Sequence, residues 1–165
     1  MYKRQNYYNG NGKKDWMHCN SIDYNESLQQ IVIGSRSMSE FYIIDHSTTT
    51  TQASSSSGGI YGRGGDFLYR WGNPQVYNKG NSSNRRLFGQ HDVQWIEDGL
   101  ADEKKILIFN NGQSRGYSSV EIVNTQFQNS GYYQLSSLGT FIPDSSEWIY
   151  ISDNPTNFFS SYISG

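Results

Sequence analysis

The sequence has a single cysteine, Cys19, in 165 residues. One thiol cannot close an internal disulfide, and cysteine-based zinc sites need several thiolates. Charge is scarce as well: 17% of the residues are Asp, Glu, Lys or Arg, with a formal net charge of −2. Such a chain does not bind nucleic acid by wholesale phosphate neutralisation. Nor is it the highly charged, aromatic-poor kind of disordered segment. Apolar runs are short, so no stretch can span a membrane as a helix. Tyr-Lys-Arg-Gln-Asn follows Met1 without an apolar stretch behind it, which is no signal peptide. Helical periodicity is missing too: no segment keeps apolar residues at i, i+3, i+4 and i+7 over three turns.

Aromatic residues are abundant, with 13 Tyr, 8 Phe and 4 Trp. Any core is therefore aromatic. Strand-like runs are frequent: Ser21–Tyr24, Gln30–Ser35, Glu40–Asp45 and Asp66–Trp71, then Asp92–Ile96, Lys105–Phe109, Ser119–Val123 and Trp148–Ile151. Gly, Asn, Ser and Pro clusters bound them, which predicts an all-β fold. The runs fall into two four-strand units, each opened by a histidine, His18 and His91, 73 residues apart. That order predicts two blades of a β-propeller, each a four-stranded antiparallel meander. A sandwich would not explain why the units repeat in the same order. The expected organisation is a single partial domain: a preceding blade's tail over 1–14, a first blade over 15–72, a connecting loop over 73–90, a second blade over 91–157, and the start of a third over 158–165. Two blades do not close a ring, since closed propellers need about four to eight. The chain is expected to be an internal piece of a larger protein.

Antiparallel connectivity sorts the loops between two ends of such blades. His18, Asn20, Arg36, His91, Asn110, Asn111 and Arg115 fall at one end; His46 and the Thr/Ser tract fall at the other. Imidazole and guanidinium groups together suit an anionic, tetrahedral group. No pair of carboxylates shares that end, which argues against glycoside hydrolysis. Asp15 and Asp92 are suited to orienting a histidine. No cluster calls for a metal or a cofactor.

Several motifs resemble the bacterial arylsulfotransferases: Asp15-Trp16-Met17-His18-Cys19-Asn20-Ser21, Gly34-Ser35-Arg36, Tyr69-Arg70-Trp71-Gly72-Asn73-Pro74, Gln90-His91-Asp92-Val93-Gln94-Trp95 and Phe109-Asn110-Asn111-Gly112. They run in order from Asp15 to Val123 and resume at Phe158–Gly165. The resemblance implies a six-bladed propeller that moves a sulfuryl group from an aryl sulfate donor to a phenol acceptor through a sulfohistidine. It implies catalytic roles for His18, His91 and Arg115, with Asn20, Arg36 and Asn111 as substrate-binding positions. The family's attacking histidine lies in a later blade, expected beyond Gly165. A periplasmic or secreted location of the full-length parent is implied as well. The competing functional expectation is a non-catalytic propeller that binds a partner on its loops. A sulfatase-type hydrolase is disfavoured, because Cys19-Asn20-Ser21 lacks the expected Cys-x-Pro-x-Arg pattern.

Blander expectations attach to other residues. His46 is structural, Cys19 a small buried or half-buried residue, and the Gly58–Gly65 stretch a loop. The Thr48–Thr51 and Ser54–Ser57 tracts face solvent. Tyr7-Tyr8 and Tyr132-Tyr133 read as outer-strand residues. Trp16 and Tyr117 are candidates for sandwiching a phenol ring. No motif is assigned between Ser130 and Asn157.

Overall fold

The computed structural model describes residues 14–128 and 132–156. Its eight strands are β1 (Cys19–Asn25), β2 (Gln30–Ser35), β3 (Glu40–Asp45), β4 (Tyr69–Trp71), β5 (His91–Trp95), β6 (Ile106–Asn110), β7 (Ser119–Val123) and β8 (Trp148–Tyr150). They form two four-stranded antiparallel sheets, ordered β1-β2-β3-β4 and β5-β6-β7-β8. All eight fall inside or beside the strand-like runs of the sequence. The fourth begins later than expected, at Tyr69. Residues 1–13 of the expected tail over 1–14, Tyr7-Tyr8 among them, and Phe158–Gly165 lie outside the described residues.

Local chemistry explains the elements. The Ile/Val-rich stretches of β2 and β6 favour strands because branched side chains pack well on a pleated surface. Asn25 turns the chain after β1: its Oδ1 accepts from the backbone of Leu28 at 2.9 Å and from Ser27 Oγ at 2.9 Å. Between β3 and β4 the Thr/Ser tract is not wholly irregular. It forms one helical turn, α1 (Thr50–Ala53), which Thr49 and Gln52 close with a reciprocal capping box. Such side-chain caps satisfy donors that one isolated turn leaves open. Among the described residues no helix is long and apolar enough to cross a membrane.

The core lies between the sheets. One face of the first sheet contributes Val32, Phe41, Ile43, Tyr69 and Trp71; the second contributes Val93, Trp95, Ile106, Ile108 and Val123. The stretch after β7 completes it, and this corrects the outer-strand expectation for Tyr133. Tyr133 and Phe141 are buried and pack on Tyr69, with ring centroids 4.9 and 5.1 Å away. Tyr69 Oη donates to the carbonyl of Ile142 at 2.9 Å, and Trp71 Nε1 donates to that of Pro143 at 2.6 Å. Tyr132 is exposed, but like Tyr133 it lies outside every strand, so the outer-strand expectation fails for both.

Side chains of β1 stitch the sheets by bonding the free edge of β5. Ser21 Oγ accepts from the backbone N–H of Val93 at 3.1 Å, and Asp23 Oδ2 accepts from that of Trp95 at 2.8 Å. Asn20 Nδ2 donates to the carbonyl of Gln90 at 2.8 Å. Gln90 is fully buried and donates in turn to the carbonyls of Ser35 at 3.0 Å and Glu40 at 2.8 Å. Without these acceptors the backbone donors of β5 would stay unpaired, at a cost of about 1–3 kcal/mol each when buried. Bond partners advance together along the two strands, so β1 and β5 lie side by side and point the same way.

Candidate functional site

His18 immediately precedes β1, and His91 opens β5. Since those strands are neighbours with the same direction, both histidines lie at one end of the molecule. The antiparallel partners bring their turns to that end. The backbone N–H of Arg36 bonds the carbonyl of His18 at 3.1 Å, and His91 pairs with Phe109, just before Asn110 and Asn111. His18, Arg36, His91, Asn110, Asn111 and Arg115 thus share the end that the sequence assigns them. His46 follows β3 at the opposite end, where its ring lies 4.7 Å from that of Tyr24.

The first strand of each sheet breaks its register beside its histidine. The shift falls between Cys19 and Ser21 in β1, and between His91 and Gln94 in β5. His18 and Asp92 hold left-handed backbone conformations there, at φ 48° and 51°. Bulges of this kind locally bend a strand and re-aim side chains. Cys19, at the start of the shift in β1, is exposed, correcting the buried or half-buried expectation.

The two imidazoles have different partners. His18 Nδ1 bonds the carboxylate of Asp15, as the sequence suggests for that aspartate. His91 is held differently. Asp92 points away and accepts from Gln94 Nε2 at 2.9 Å, so it does not orient the ring. His91 Nδ1 instead meets Asn111 Oδ1 at 2.7 Å. Asn111 therefore serves the histidine directly, a role absent from the sequence expectation of a substrate contact. The neighbouring Asn110 is fully buried and fastens the turn: Oδ1 accepts from the N–H of Phe88 at 3.0 Å, and Nδ2 donates to Glu121 Oε1 at 2.8 Å.

Arg115 is drawn inward. Its guanidinium donates to Ser119 Oγ at 2.8 Å and lies 3.5 Å from the carboxylate of Glu121. It sits over Tyr117 at 4.6 Å and Phe88 at 5.2 Å. Tyr117 thus stacks on a cation rather than standing open for a phenol, and Trp16 is about half exposed. Asn20 is occupied in joining the sheets. The Arg36 side chain, in contrast, makes no hydrogen bond or ion pair among the described residues and remains available to an anion. Among the described residues no group of three His, Cys, Asp or Glu side chains converges in a way that would hold a metal.

Glu121 was not among the expected site residues, and Asn111 was expected there in another role. Both reach the site through turn geometry and cross-strand register, which sequence periodicity does not encode.

Comparison with curated proteins gives no match, and comparison with solved structures gives none. A family model does match, that of Arylsulfotransferase (ASST), over residues 2–165. With the whole length but one residue covered, the chain belongs to the arylsulfotransferase family.

Proposed function

We propose that this chain contributes the oxyanion-stabilising and proton-handling part of a site that moves a sulfuryl group from an aryl sulfate to a phenol. The carrying observation is the pair of histidines at one end of two adjacent strands, each with its Nδ1 anchored by a side chain. In the first half-reaction a histidine nitrogen attacks sulfur, the S–O bond breaks, and the aryl oxygen leaves as a phenol after gaining a proton. In the second, the acceptor phenol loses its proton, its oxygen attacks sulfur, and the S–N bond breaks. His18 and His91 are positioned to donate and accept those protons. The attack itself falls to a histidine outside this chain.

Sulfuryl transfer resembles phosphoryl transfer, where positioning and charge stabilisation do most of the work. Arg36 is open to the sulfate oxygens. Arg115 would have to release Ser119 to hold them in the two-pronged manner that guanidinium groups favour. Removing one donor of this kind typically costs about 2.7–4 kcal/mol of barrier.

The sheets themselves are proposed as adjacent blades of a larger, six-bladed propeller. Phe41, Ile43, Tyr69 and Trp71 share one face, and Val120, Ile122, Trp148 and Tyr150 repeat that arrangement 79 residues later. Tyr69 and Trp71 are 0% and 4% exposed under the second sheet and the 132–144 stretch, whereas Trp148 and Tyr150 are 49% and 48% exposed. A shallow apolar depression lined by Phe109, Val120 and Tyr150 lies on that open face. A further blade would cover it as the second sheet covers the first.

The test is calorimetric binding of 4-nitrophenyl sulfate to the full chain, with phenolate release followed by absorbance. Binding without release is expected, and His18→Ala and His91→Ala should each weaken it about tenfold, the equivalent of one charge-assisted hydrogen bond. Affinity unchanged in both variants refutes the site. A sulfuryl adduct on His18 or His91 by mass spectrometry refutes the assignment of the attack to another histidine.

A further inference from the structure

We propose that Asn111 is a positioning residue for His91, one that holds the imidazole as its Nδ1–H tautomer and leaves Nε2 as the free acceptor nitrogen. Its place in catalysis rests on the sulfuryl-transfer site proposed above; the tautomer itself does not. A neutral imidazole has one donor and one acceptor nitrogen, and the group bonded to one decides the state of the other. The amide oxygen Oδ1 is an acceptor only. At 2.7 Å from Nδ1, it requires the proton on that nitrogen. Among the described residues Nε2 makes no hydrogen bond, so the ring's lone pair is presented at the shared end.

The amide is preorganised for this task. Asn111 is almost fully buried, and Ser118 Oγ fastens its carbonyl at 3.0 Å. Asn110 pins the preceding residue to Phe88 and Glu121. Gly112 then takes a left-handed conformation, φ 68°, and packs so closely that a Cβ would lie 1.7 Å from the carbonyl oxygen of Tyr117. A side chain carried on such a turn has little freedom to swing away. On the histidine side, His91 is held in the ladder opposite Phe109, next to the turn that carries Asn111. His18 is held by a carboxylate instead, so the histidines are not duplicates: Asn111 orients His91 without placing a full charge beside it.

The role implies a proton path. An acceptor phenol would hydrogen-bond to Nε2 of His91 and pass its proton there as its oxygen attacks sulfur. Nδ1–H would keep its bond to Asn111 while the ring became cationic, so no rotation is needed during transfer. Pre-paid orientation of this sort is a recognised part of catalysis.

The experiment is a long-range proton–nitrogen correlation spectrum of the full chain labelled with nitrogen-15 histidine. Three histidines give a resolvable set, assigned by His18→Gln, His46→Gln and His91→Gln. At a pH where the ring is neutral, His91 should show a protonated Nδ1 and a bare Nε2. Asn111→Ala should lose that preference, with the Nε2–H form becoming the major one, while the signals of His18 and His46 stay in place. Asn111→Asp, which keeps an acceptor oxygen, should restore it. A wild-type His91 carrying its proton on Nε2, or populations unmoved by Asn111→Ala, overturns the assignment. The wild-type spectrum decides the matter even if Asn111→Ala fails to fold. A chain that shows the Nδ1–H tautomer yet does not bind 4-nitrophenyl sulfate would sink the proposed function and leave the positioning role standing.

Discussion

Glu40 and Arg70 form a buried pair on the face of the first sheet turned away from the second. Arg70 Nε donates to Glu40 Oε1 at 3.0 Å, a second guanidinium nitrogen bonds Oε2, and Tyr42 Oη donates to the same oxygen at 3.2 Å. The guanidinium also lies 4.1 Å over the ring of Tyr77. Burial nevertheless dominates: it pushes the Glu40 carboxyl from 4.5 up to about 7, against the pull of Arg70. A group whose folded-state value is raised binds more protons in the folded than in the unfolded state. Its stabilising contribution is therefore fully present below pH 4.5 and is lost as pH rises towards 7. Moving from 4.5 to about 7 corresponds to about 3 kcal/mol. Glu40→Gln removes this titration while keeping the shape. The difference in unfolding free energy, Glu40→Gln minus wild type, should rise by about 3 kcal/mol between pH 4.5 and 7.5. Urea titrations followed by tryptophan fluorescence at four pH values across that range would measure it. Arg70→Met should steepen the wild-type fall, because a carboxylate left buried without its partner costs about 3–5 kcal/mol once ionised. A Glu40→Gln difference that stays flat with pH would refute the reasoning, since it would mean that the pair is ionised throughout.

Three further substitutions test the joints of the molecule. Gly34→Ala places a Cβ 2.3 Å from Ser21 Oγ and 3.1 Å from Val93 Cγ2, so it should destabilise the chain by about 1–3 kcal/mol in urea titration. A midpoint equal to wild type would show that the sheets are not in close contact there. Asp23→Ala strips the backbone N–H of Trp95 of its acceptor and should cost about 1–3 kcal/mol, with Asp23→Asn recovering most of it; equal losses in the two variants would refute the bond's role. Gly112→Ala cannot keep the turn's conformation, so it should perturb His91 in the imidazole spectrum without altering Asn111 itself. An unchanged His91 signal would separate that turn from the histidine.

The strand plan was legible because it is written locally. The alternation in β1 and β5 and the branched runs in β2 and β6 depend on neighbours within a few residues, and the histidine-led repeat fixed their grouping into two sheets. The stretch carrying Tyr133 and Phe141 was not legible. It has almost no regular secondary structure, and its burial comes from lying across Tyr69, 64 residues before Tyr133 and 72 before Phe141. The expectations for Asp92 and Cys19 rested on residue type, a carboxylate beside a histidine and a thiol of an ordinarily buried kind. Residue type does not encode where a register shift leaves a side chain. Both shifts sit beside the histidines, so the difference falls on the candidate site.

The two histidines stand at different places in a repeated frame, and their partners differ accordingly. His18 stands just outside its strand, where Asp15, three residues earlier, reaches Nδ1 from a turn. His91 stands inside the ladder, paired with Phe109, so its Nδ1 meets the turn that leaves β6. The backbone frame repeats, but the position of the histidine within it is shifted. A carboxylate therefore faces one ring and an amide the other. A repeated frame with unequal anchors is a direct way to make two imidazoles behave differently, as the proposed sulfuryl transfer would require. Exchanging the anchors by Asp15→Asn together with Asn111→Asp should then exchange the two rings' behaviour in the imidazole spectrum, with His18 losing its carboxylate-bound signature and His91 gaining one. Rings that keep their original signatures in that double variant would show that the strand frame, not the anchor, sets their state.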